Sequence, residues 1–331
     1  MKKAWKMCFA ALVAILPTVA SAQSTNPRPL QRATDEHLAL LLSRQYDKLD
    51  KSADAARRQW LKTSDGQLLL SAIQDAASGS IDQFTDELWK IRKERLLEWA
   101  KRNPSSITAR LALAAYPLHY GWFARGTGRA STVNEEGWRR LNEGAKESHA
   151  ALMALDDEVR ADPRWYEEML YLAITQGWPR ARFDALYDQA TKQFPQDLSF
   201  YFSAVQYLSP RWYGSEEEQR RAIEQITERT RPQMGEVMYA RLNWAVAEPR
   251  MVIQHKVDWG RMKAGFERLT TEYPDPWNVN NYARFACFAG DIPTLQRLLA
   301  TIGENPIEEA WMDDLSLHRR CKAYAAGLIE R

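Results

Sequence analysis

Apolar residues recur along this chain at the three- and four-residue spacing of amphipathic α-helices. Three of these apolar faces are Leu38, Leu41, Leu42, Tyr46 and Leu49; Phe183, Leu186, Tyr187, Ala190 and Phe194; and Trp259, Met262, Phe266 and Leu269. Such spacing puts the apolar side chains on one side of each helix, where neighbouring helices can cover them. No segment alternates convincingly in the manner of a half-buried strand, and no Asn-Gly hairpin turn is present. The pattern predicts an all-α protein.

The predicted helices come in pairs that are separated by glycine and proline. Residues 162–179 and 180–195 predict one pair, residues 275–291 and 292–303 predict another, and residues 196–210 begin a further one. Prolines at positions 163, 195, 232 and 274 lie 32, 37 and 42 residues apart. A period in the thirties that is built of two helices is typical of a helical solenoid.

Part of this pattern resembles tetratricopeptide repeats in degenerate form, over residues 160–303. Tyr187 and Ala190 stand eight and five positions before Pro195, where that motif has a large and a small apolar residue. Phe266 stands in the same relation to the proline at 274, but Leu269 is too large for the small position. The resemblance implies a scaffold that binds peptides or proteins along a concave face.

Three further stretches together resemble an uncharacterised bacterial family of exported helical proteins with a tetratricopeptide-like core. They are LHYGWFARGTGRASTVNEEGWRRL (118–141), PRWYGSEEEQ (210–219) and FACFAGD (285–291). This resemblance implies the same fold and an exported location. It implies no activity, because none is established for that family.

The N-terminus has the features of a cleavable signal peptide over residues 1–22. Lysines at positions 2, 3 and 6 precede an apolar run that Pro17 interrupts, and Ala-Ser-Ala then ends at Ala22. Cleavage after Ala22 would leave a periplasmic or secreted protein with no membrane span. Residues 23–104 fit no clear repeat and predict an N-terminal helical cap. That cap joins a tetratricopeptide-like repeat region over residues 105–331 in one continuous domain, since terminal units of solenoids are usually atypical.

The charge balance changes once the signal peptide is removed. The full chain has 45 basic and 43 acidic residues, for a formal net charge of +2. Without the three early lysines, 42 basic residues face 43 acidic ones, and the net charge becomes −1. Because nucleic acids and anionic membranes bind to basic patches, the composition speaks against both as partners.

The stretch GWFARGTGRAS (121–131) comes close to two phosphate-binding motifs. Gly121 and Gly126 have P-loop spacing, but Thr127 and Gly128 then stand where that motif needs Lys and Ser or Thr. A dinucleotide fingerprint would need a preceding strand, and the preceding residues predict a helix. We therefore expect these glycines to form a turn before a long helix that begins near Asn134, because glycine accepts positive φ at little cost.

No other catalytic signature appears, so the sequence predicts no catalytic residue, cofactor or metal site. Gly-x-Ser-x-Gly and His-Glu-x-x-His are both absent. The acidic stretch SEEEQRR (215–221) predicts a helix start, in which Ser215 caps the helix and Glu218 completes a capping box. No two histidines have metal-ligand spacing; they are His37, His119, His149, His255 and His318.

Two clusters of aromatic residues and arginines are the candidate binding surface. They are His119, Tyr120, Trp122, Arg125 and Arg129 in one cluster, and Arg211, Trp212 and Tyr213 in the other. Both lie near the ends of predicted first helices, which line the concave face of a solenoid, and Trp, Tyr and Arg are enriched at binding hot spots. The alternative is structural, with each arginine stacked on a tryptophan so that adjacent helical units are held together.

Cys287 and Cys321 are the two cysteines outside the predicted signal peptide, and they are 34 positions apart. In an oxidising compartment they are candidates for a disulfide on neighbouring first helices. The alternative is a pair of small buried apolar side chains.

Taken together, these features predict a non-enzymatic scaffold that binds an envelope protein or peptide. Arg125, Arg129 and Arg211 would pair with carboxylates of that partner, and the adjacent aromatic residues would supply buried area. The alternative function is binding or processing of an envelope glycan, because tryptophan faces stack on sugar rings. The packing of tryptophans in the core is a competing explanation for their abundance.

Overall fold

The computed structural model describes residues 28–79, 85–246, 251–252 and 256–330. The predicted signal peptide and His255 lie outside these residues. The described residues contain one isolated β-bridge, between Lys62 and Leu68, and otherwise their regular structure is helical, so the all-α prediction is confirmed. No helix in this part of the chain combines the length and the apolarity needed to cross a bilayer.

The described part of the chain forms sixteen α-helices and two short 3-10 turns, Ala130–Thr132 and Glu308–Trp311. In chain order the α-helices are α1 (Pro29–Leu42), α2 (Tyr46–Gln59), α3 (Leu69–Ser78), α4 (Asp86–Arg102), α5 (Ile107–Arg125), α6 (Glu135–Met153), α7 (Asp157–Arg160), α8 (Pro163–Gln176), α9 (Arg180–Gln193), α10 (Ser199–Tyr207), α11 (Glu216–Met234), α12 (Val237–Val246), α13 (Trp259–Glu272), α14 (Pro276–Ala289), α15 (Ile292–Ile302) and α16 (Leu315–Ala325).

Local sequence determines several helix ends. Ser215 caps α11 by accepting a hydrogen bond from the Glu218 amide at 3.2 Å, as the capping box predicts. Asn134 caps α6 in the same way, so that helix begins where the sequence places it. Gly126 ends α5 with a φ of +79°, whereas Gly128 has no positive φ. The GWFARGTGRAS stretch is therefore a helix exit and a turn.

The helices pack mainly against helices that are near in sequence, around one large apolar core and two smaller ones. The large core runs from Leu111 on α5 to Ala325 on α16. A smaller core joins α1, α2 and α4 to α5 through Trp89, Trp99 and Tyr116. Helix α5 contributes to both cores, so the predicted boundary at residue 104 falls between helices that are packed together.

A segment between α2 and α3, residues 60–68, reaches across the molecule to the helices near the C-terminus. We call it the linking segment. It brings the N-terminal helices into contact with α12, α13 and α14, and it forms part of the walls of both large cavities described below. Its hydrogen bonds are Lys62 Nζ to Tyr273 Oη (3.1 Å), Ser64 Oγ to Asp275 Oδ2 (2.6 Å), Arg241 Nη2 to the Asp65 carbonyl (2.9 Å) and Asn278 Nδ2 to the same carbonyl (3.2 Å).

The structure joins Cys287 on α14 to Cys321 on α16 as a disulfide, with Cα atoms 5.8 Å apart. That separation lies within the range that a disulfide requires. Helix α15 lies between these two helices in the chain order, so the disulfide joins helices that are one helix apart in sequence. Of the two interpretations of the cysteine pair, the bridge is confirmed.

Candidate functional site

Two adjoining cavities lie where the linking segment meets the helices. The acidic cavity, of about 370 Å³, is formed with residues of α3, α5, α8 and α10. The basic cavity, of about 460 Å³, is formed with residues of α11, α12 and α13. Their walls share Lys62, Gly66, Gln196 and Leu198. The two cavities are therefore neighbouring parts of one recess.

Three carboxyl groups and one histidine from three helices line the acidic cavity. Asp75 comes from α3, His119 from α5, and Glu167 and Glu168 from α8. Glu167 and Glu168 form part of the cavity wall, although most other residues of α8 are buried. Because like charges raise each other's cost of ionisation, the state of each carboxyl depends on its own partners.

Glu168 is fully partnered. Its Oε2 lies 2.8 Å from His119 Nε2, and both side chains are largely buried, at 5% and 14% exposed. Its Oε1 accepts from Gln74 Nε2 and Ser78 Oγ, each at 3.4 Å. Burial by itself would lower the pKa of His119, but the charge of Glu168 and the hydrogen bond to it outweigh burial, and the pKa is raised. The pair therefore behaves as an internal ion pair.

Glu167 belongs to a second buried network, centred on Arg164. The guanidinium of Arg164 is fully buried and donates hydrogen bonds to Glu167 and to the equally buried Asp197. It also donates to Ser71 Oγ at 2.7 Å. Burial raises the pKa of Glu167, and the positive charge of Arg164 acts against that rise. The network satisfies a buried arginine with two carboxylates, as buried charges require.

Asp75 differs from the other two carboxyls because it makes no side-chain hydrogen bond to any described residue. It is only partly exposed, at the wall of the cavity. Burial, together with the neighbouring charge of Glu167, raises the pKa of Asp75 to about 7, although the positive charges of His119 and Arg164 act against the rise. A carboxyl in this state is protonated for much of the time at neutral pH, and it ionises readily when a cation approaches.

The remaining wall of the acidic cavity combines Lys62, which also lines the basic cavity, with aromatic faces and uncharged polar groups. The Tyr171 ring lies 5.5 Å from the His119 ring and 6.0 Å from the Trp122 ring, centroid to centroid. Phe202 supplies a second aromatic face, and hydroxyl and amide groups complete the wall. Such a lining can hold a ligand with a charged head and an apolar stem. The polar groups are those of Ser71, Ser199, Ser203, Gln67, Gln196 and Gln206.

The basic cavity has the opposite charge. Lys62, Arg229, Arg241 and Arg268 line it, against the single carboxylate of Glu272. Glu272 accepts a hydrogen bond from Arg268 Nε at 2.7 Å. After that pair is counted, the lining retains an excess of positive charge. It can bind an anionic group by charge-assisted hydrogen bonds.

The structure brings several of the sequence-predicted residues into one aromatic row beside the acidic cavity. His119 lines the cavity itself. Trp122 donates from Nε1 to Thr175 Oγ1 at 3.0 Å and meets Trp212 edge to face, with centroids 6.0 Å apart. The Tyr213 hydroxyl donates to the Ile174 carbonyl at 2.7 Å. The Trp122 bond joins α5 to α8, and the Tyr213 bond joins the turn between α10 and α11 to α8.

Arg125 is engaged within this row. Its guanidinium lies over the rings of Trp122 and Trp138, at 5.2 and 4.9 Å from their centroids. Its Nη1 also donates to the carbonyls of Gly126 and Gly128, at 2.8 and 2.9 Å. These contacts fit the structural alternative for the cluster, in which an arginine stacks on tryptophans and holds adjacent helical units together.

The other predicted residues lie outside the row. Tyr120 packs against Trp89 in the N-terminal core and donates to Asp86 Oδ1 at 3.1 Å. Arg129 and Arg211 are exposed, and neither side chain makes a hydrogen bond or an ion pair to a described residue. Of the eight predicted residues, His119 is the one that the structure places in the wall of a large cavity.

Sequence reasoning missed Asp75, Glu167, Glu168 and Arg241. A usable signal existed for Asp75, since it is an acid within the otherwise apolar and small run LLLSAIQDAAS. The adjacent acids at 167 and 168 also interrupt an apolar helix. Neither signal tells which distant helices the acids face, so the cavity is visible only in the folded chain.

Comparison with known proteins gave no match: no family model fits the chain, and searches of curated proteins and of solved structures returned nothing similar. Among the described residues, no group of three or more His, Cys, Asp or Glu side chains could hold a metal ion. The site is therefore interpreted from its own geometry.

Proposed function

We propose that this chain is an exported, non-enzymatic scaffold that binds a peptide or a peptide segment of a protein. The observation that carries the proposal is the Asp75 carboxyl, which faces the acidic cavity without a hydrogen-bond partner in the described part of the chain. The side chain is only partly exposed, and a carboxyl that faces a cavity without a protein partner can be completed by a ligand that enters the cavity. A positively charged amine of a lysine side chain is the group that best fits the Asp75 carboxyl, which lies beside the paired carboxylates of Glu167 and Glu168.

Helix architecture supports the scaffold part of the proposal. Helices α8 and α14 are both 14 residues long, both begin with an Asp cap followed by proline, and both end at a left-handed glycine. Each is followed directly by a second helix. This repetition is what we expect of a tetratricopeptide-like solenoid of antiparallel helix pairs, a fold that presents groups from successive helices to one ligand.

The lining of the acidic cavity suits the whole lysine side chain. An ammonium group has three N–H donors. The Asp75 carboxyl accepts no hydrogen bond from a described residue, and Glu167, which pairs with Arg164, offers further acceptor sites. The aromatic faces of Tyr171 and Phe202 can contact the methylene stem, since lysine buries its stem along apolar surface. We therefore assign recognition of the lysine side chain to the acidic cavity. The exposed Arg129 and Arg211 stay candidates for secondary contacts.

Isothermal titration calorimetry tests this assignment with the peptide acetyl-Gly-Gly-Lys-Gly-Gly. The matched probe is the same peptide with Nε-acetyl-lysine, which removes the charge and keeps the stem. We expect the lysine peptide to bind and its acetylated form to bind at least about tenfold more weakly, the size of one charge-assisted hydrogen bond or more.

Asp75→Asn should reduce the affinity for the lysine peptide by a similar factor. Asp188→Asn is the matched control, because Asp188 is exposed on α9 and lines neither cavity. Equal affinity for the charged and acetylated peptides, or an unchanged Asp75→Asn variant, would count against the proposal.

Export is a separate part of the proposal and has its own test. The basic start, the apolar run and Ala-Ser-Ala ending at Ala22 support cleavage after that residue. Cell fractionation followed by intact mass measurement should give a chain that begins at Gln23 in the envelope or medium. A full-length chain in the cytosol would contradict it.

Binding or processing of an envelope glycan is the second candidate. The observation that favours it is the mixed lining of the acidic cavity, in which hydroxyl and amide groups accompany Tyr171 and Phe202. Asp75, with its pKa near 7, would also suit a proton donor. Titration with cell-wall glycan fragments, scored for binding and for new reducing ends, separates this candidate from peptide binding.

A further inference from the structure

Arg241 on α12 is a buried arginine without a carboxylate partner. The residue is 4% exposed and lies in the wall of the basic cavity. Its Nη2 donates to the Asp65 carbonyl at 2.9 Å, and its Nε has no hydrogen-bond partner. No described carboxylate oxygen comes within 4.0 Å of its nitrogens, the limit for an ion pair. One of the most buried positive charges of the molecule is thus satisfied by a single neutral acceptor.

Such an arrangement is costly in the absence of a ligand. A guanidinium keeps its charge at all physiological pH values, so burial cannot be relieved by loss of a proton. Burial lowers the pKa of Arg241, and the more distant charge of Asp65 counteracts this only in part. Buried charges that are retained by proteins are normally paired, or they bind something.

Arg164 provides the internal comparison. It is as deeply buried as Arg241, but Glu167 and Asp197 both accept its hydrogen bonds. The chain can therefore surround a buried arginine with carboxylates. At Arg241 it places a cavity there instead.

The other cations of the basic cavity add to this positive charge. Arg229 is exposed at the rim, and Lys62 lies over the Tyr273 ring, 5.3 Å from its centroid. Arg268 is partly neutralised by Glu272. These groups come from three parts of the chain: the linking segment, α11 and α13.

We infer that the basic cavity is an oxyanion site in which the Arg241 guanidinium pairs with a carboxylate or phosphate group of a ligand. Resting on the proposed function, the inference extends to one peptide that spans both cavities, with its lysine in the acidic cavity and its carboxylate at Arg241. The two cavities are adjacent, because Gly66 and Gln196 line both of them. Inorganic phosphate and succinate, which have no amine, test the oxyanion site independently of the acidic cavity.

Calorimetric titration of the full exported chain with inorganic phosphate and with succinate is the first experiment. We expect at least one of the two to bind, and the stronger one identifies the class of oxyanion. Arg241→Met should reduce that affinity at least about tenfold, and Arg268→Gln more modestly. Arg221→Gln should have no effect, because Arg221 is exposed on α11 and pairs with Glu217 away from the cavity. Failure of both probes to bind would overturn the inference.

Peptide titration is the second experiment. Acetyl-Gly-Gly-Lys-Gly-Gly with a free C-terminus should bind more tightly than its C-terminal amide, and Arg241→Met should abolish that difference. Equal affinities of the two peptides for the wild type would refute the claim that one peptide occupies both cavities, but would not affect the proposed amine site. Loss of lysine recognition with retained succinate binding would refute the amine site alone.

Thermal unfolding separates this inference from a purely structural role of Arg241 in holding the linking segment. We expect Arg241→Met to keep or raise Tm in the absence of ligand, since it removes an unpaired buried charge. A folded variant with a lower Tm and unchanged oxyanion affinity would overturn the inference. Arg241→Lys is the second variant if methionine prevents folding; it keeps the charge but should still weaken oxyanion binding severalfold, because lysine cannot donate two parallel hydrogen bonds.

Discussion

The acidic and basic cavities share part of their walls, and each combines paired charged groups with a group that lacks an oppositely charged partner in the described part of the chain. At the acidic cavity, Glu168 pairs with His119 and Glu167 pairs with the buried Arg164 behind the wall, whereas the Asp75 carboxyl has no hydrogen-bond partner among the described residues. In the basic cavity, Arg268 pairs with Glu272, whereas Arg241 donates to the neutral Asp65 carbonyl and has no carboxylate partner among the described residues. The paired groups account for how the walls are held together. Asp75 and Arg241, which have no oppositely charged partner among the described residues, indicate where a ligand with both charges would bind.

The largest expected effect comes from breaking the pairing around Arg164. Arg164→Met leaves the buried carboxylate of Asp197 without its partner, so we expect a loss of about 3–5 kcal/mol in the free energy of unfolding. Arg241→Met should cost nothing comparable. Urea denaturation followed by circular dichroism measures both variants. Similar losses in the two variants would remove the distinction between a structural and a ligand-binding arginine.

The disulfide provides a stability control that is distant from both cavities. Replacing Cys287 and Cys321 with serine opens a loop that spans 34 positions, and we expect a loss of about 2–4 kcal/mol. Neither cysteine lines a cavity, so peptide and oxyanion affinities should persist below the new Tm. Two alkylated thiols in the unreduced wild-type protein, seen by intact mass, would contradict the bridge itself.

The unpaired Asp75 should make stability depend on pH. Its pKa is about 7 in the folded chain and close to 4 when unfolded, so the folded state holds an extra proton between these values. Stability attributable to this group therefore falls as pH rises from 4 to 7 and stays low above 7.

Asp75→Asn removes that dependence. We expect it to raise Tm by a few degrees at pH 8 and to have little effect at pH 4.5, where the native carboxyl is already neutral. Differential scanning calorimetry at both pH values checks this, with Asp188→Asn as the control. A destabilised Asp75→Asn variant at pH 8 would mean that the ionised carboxylate has a structural partner.

The smallest expected effect concerns the aromatic row. Arg125→Gln removes two cation–π contacts and two hydrogen bonds to carbonyls in a partly exposed position, and we expect a loss of about 1 kcal/mol with unchanged peptide affinity. Arg211→Gln, at an exposed residue, should change neither the free energy of unfolding nor the peptide affinity. Reduced peptide binding in the Arg125→Gln or Arg211→Gln variant would restore the sequence-based hypothesis that these arginines bind the partner.

Local signals in the sequence were sufficient for much of the fold. Asp-Pro at helix starts, glycines such as Gly177 and Gly290 at helix ends, and the Ser215 capping box each act within a few residues, so helix bounds could be predicted without tertiary information. The sequence indicated the Cys287–Cys321 disulfide only as one of two alternatives, and the folded chain shows the pairing.

The candidate site could not be predicted in this way. Asp75, His119 and Glu168 come from three helices, and nothing in their local sequence states that they meet. Nor does the sequence reveal that the linking segment crosses to α12 and α14, where Arg241 and Asn278 bind the Asp65 carbonyl. These contacts depend on how the helices are arranged in space. Whether a side chain is paired is a property of the folded molecule.

Proton linkage of peptide binding tests the central claim most directly. Titration of acetyl-Gly-Gly-Lys-Gly-Gly into the protein at pH 6.5, in PIPES and in ACES, measures the protons released through the different ionisation enthalpies of the two buffers. Because the lysine ammonium should bind ionised Asp75, whose pKa is about 7 in the free protein, we predict release of a large fraction of one proton, and none from Asp75→Asn. Binding without proton release, or equal release from the variant, would contradict the assignment of Asp75 as the ligand-binding carboxyl.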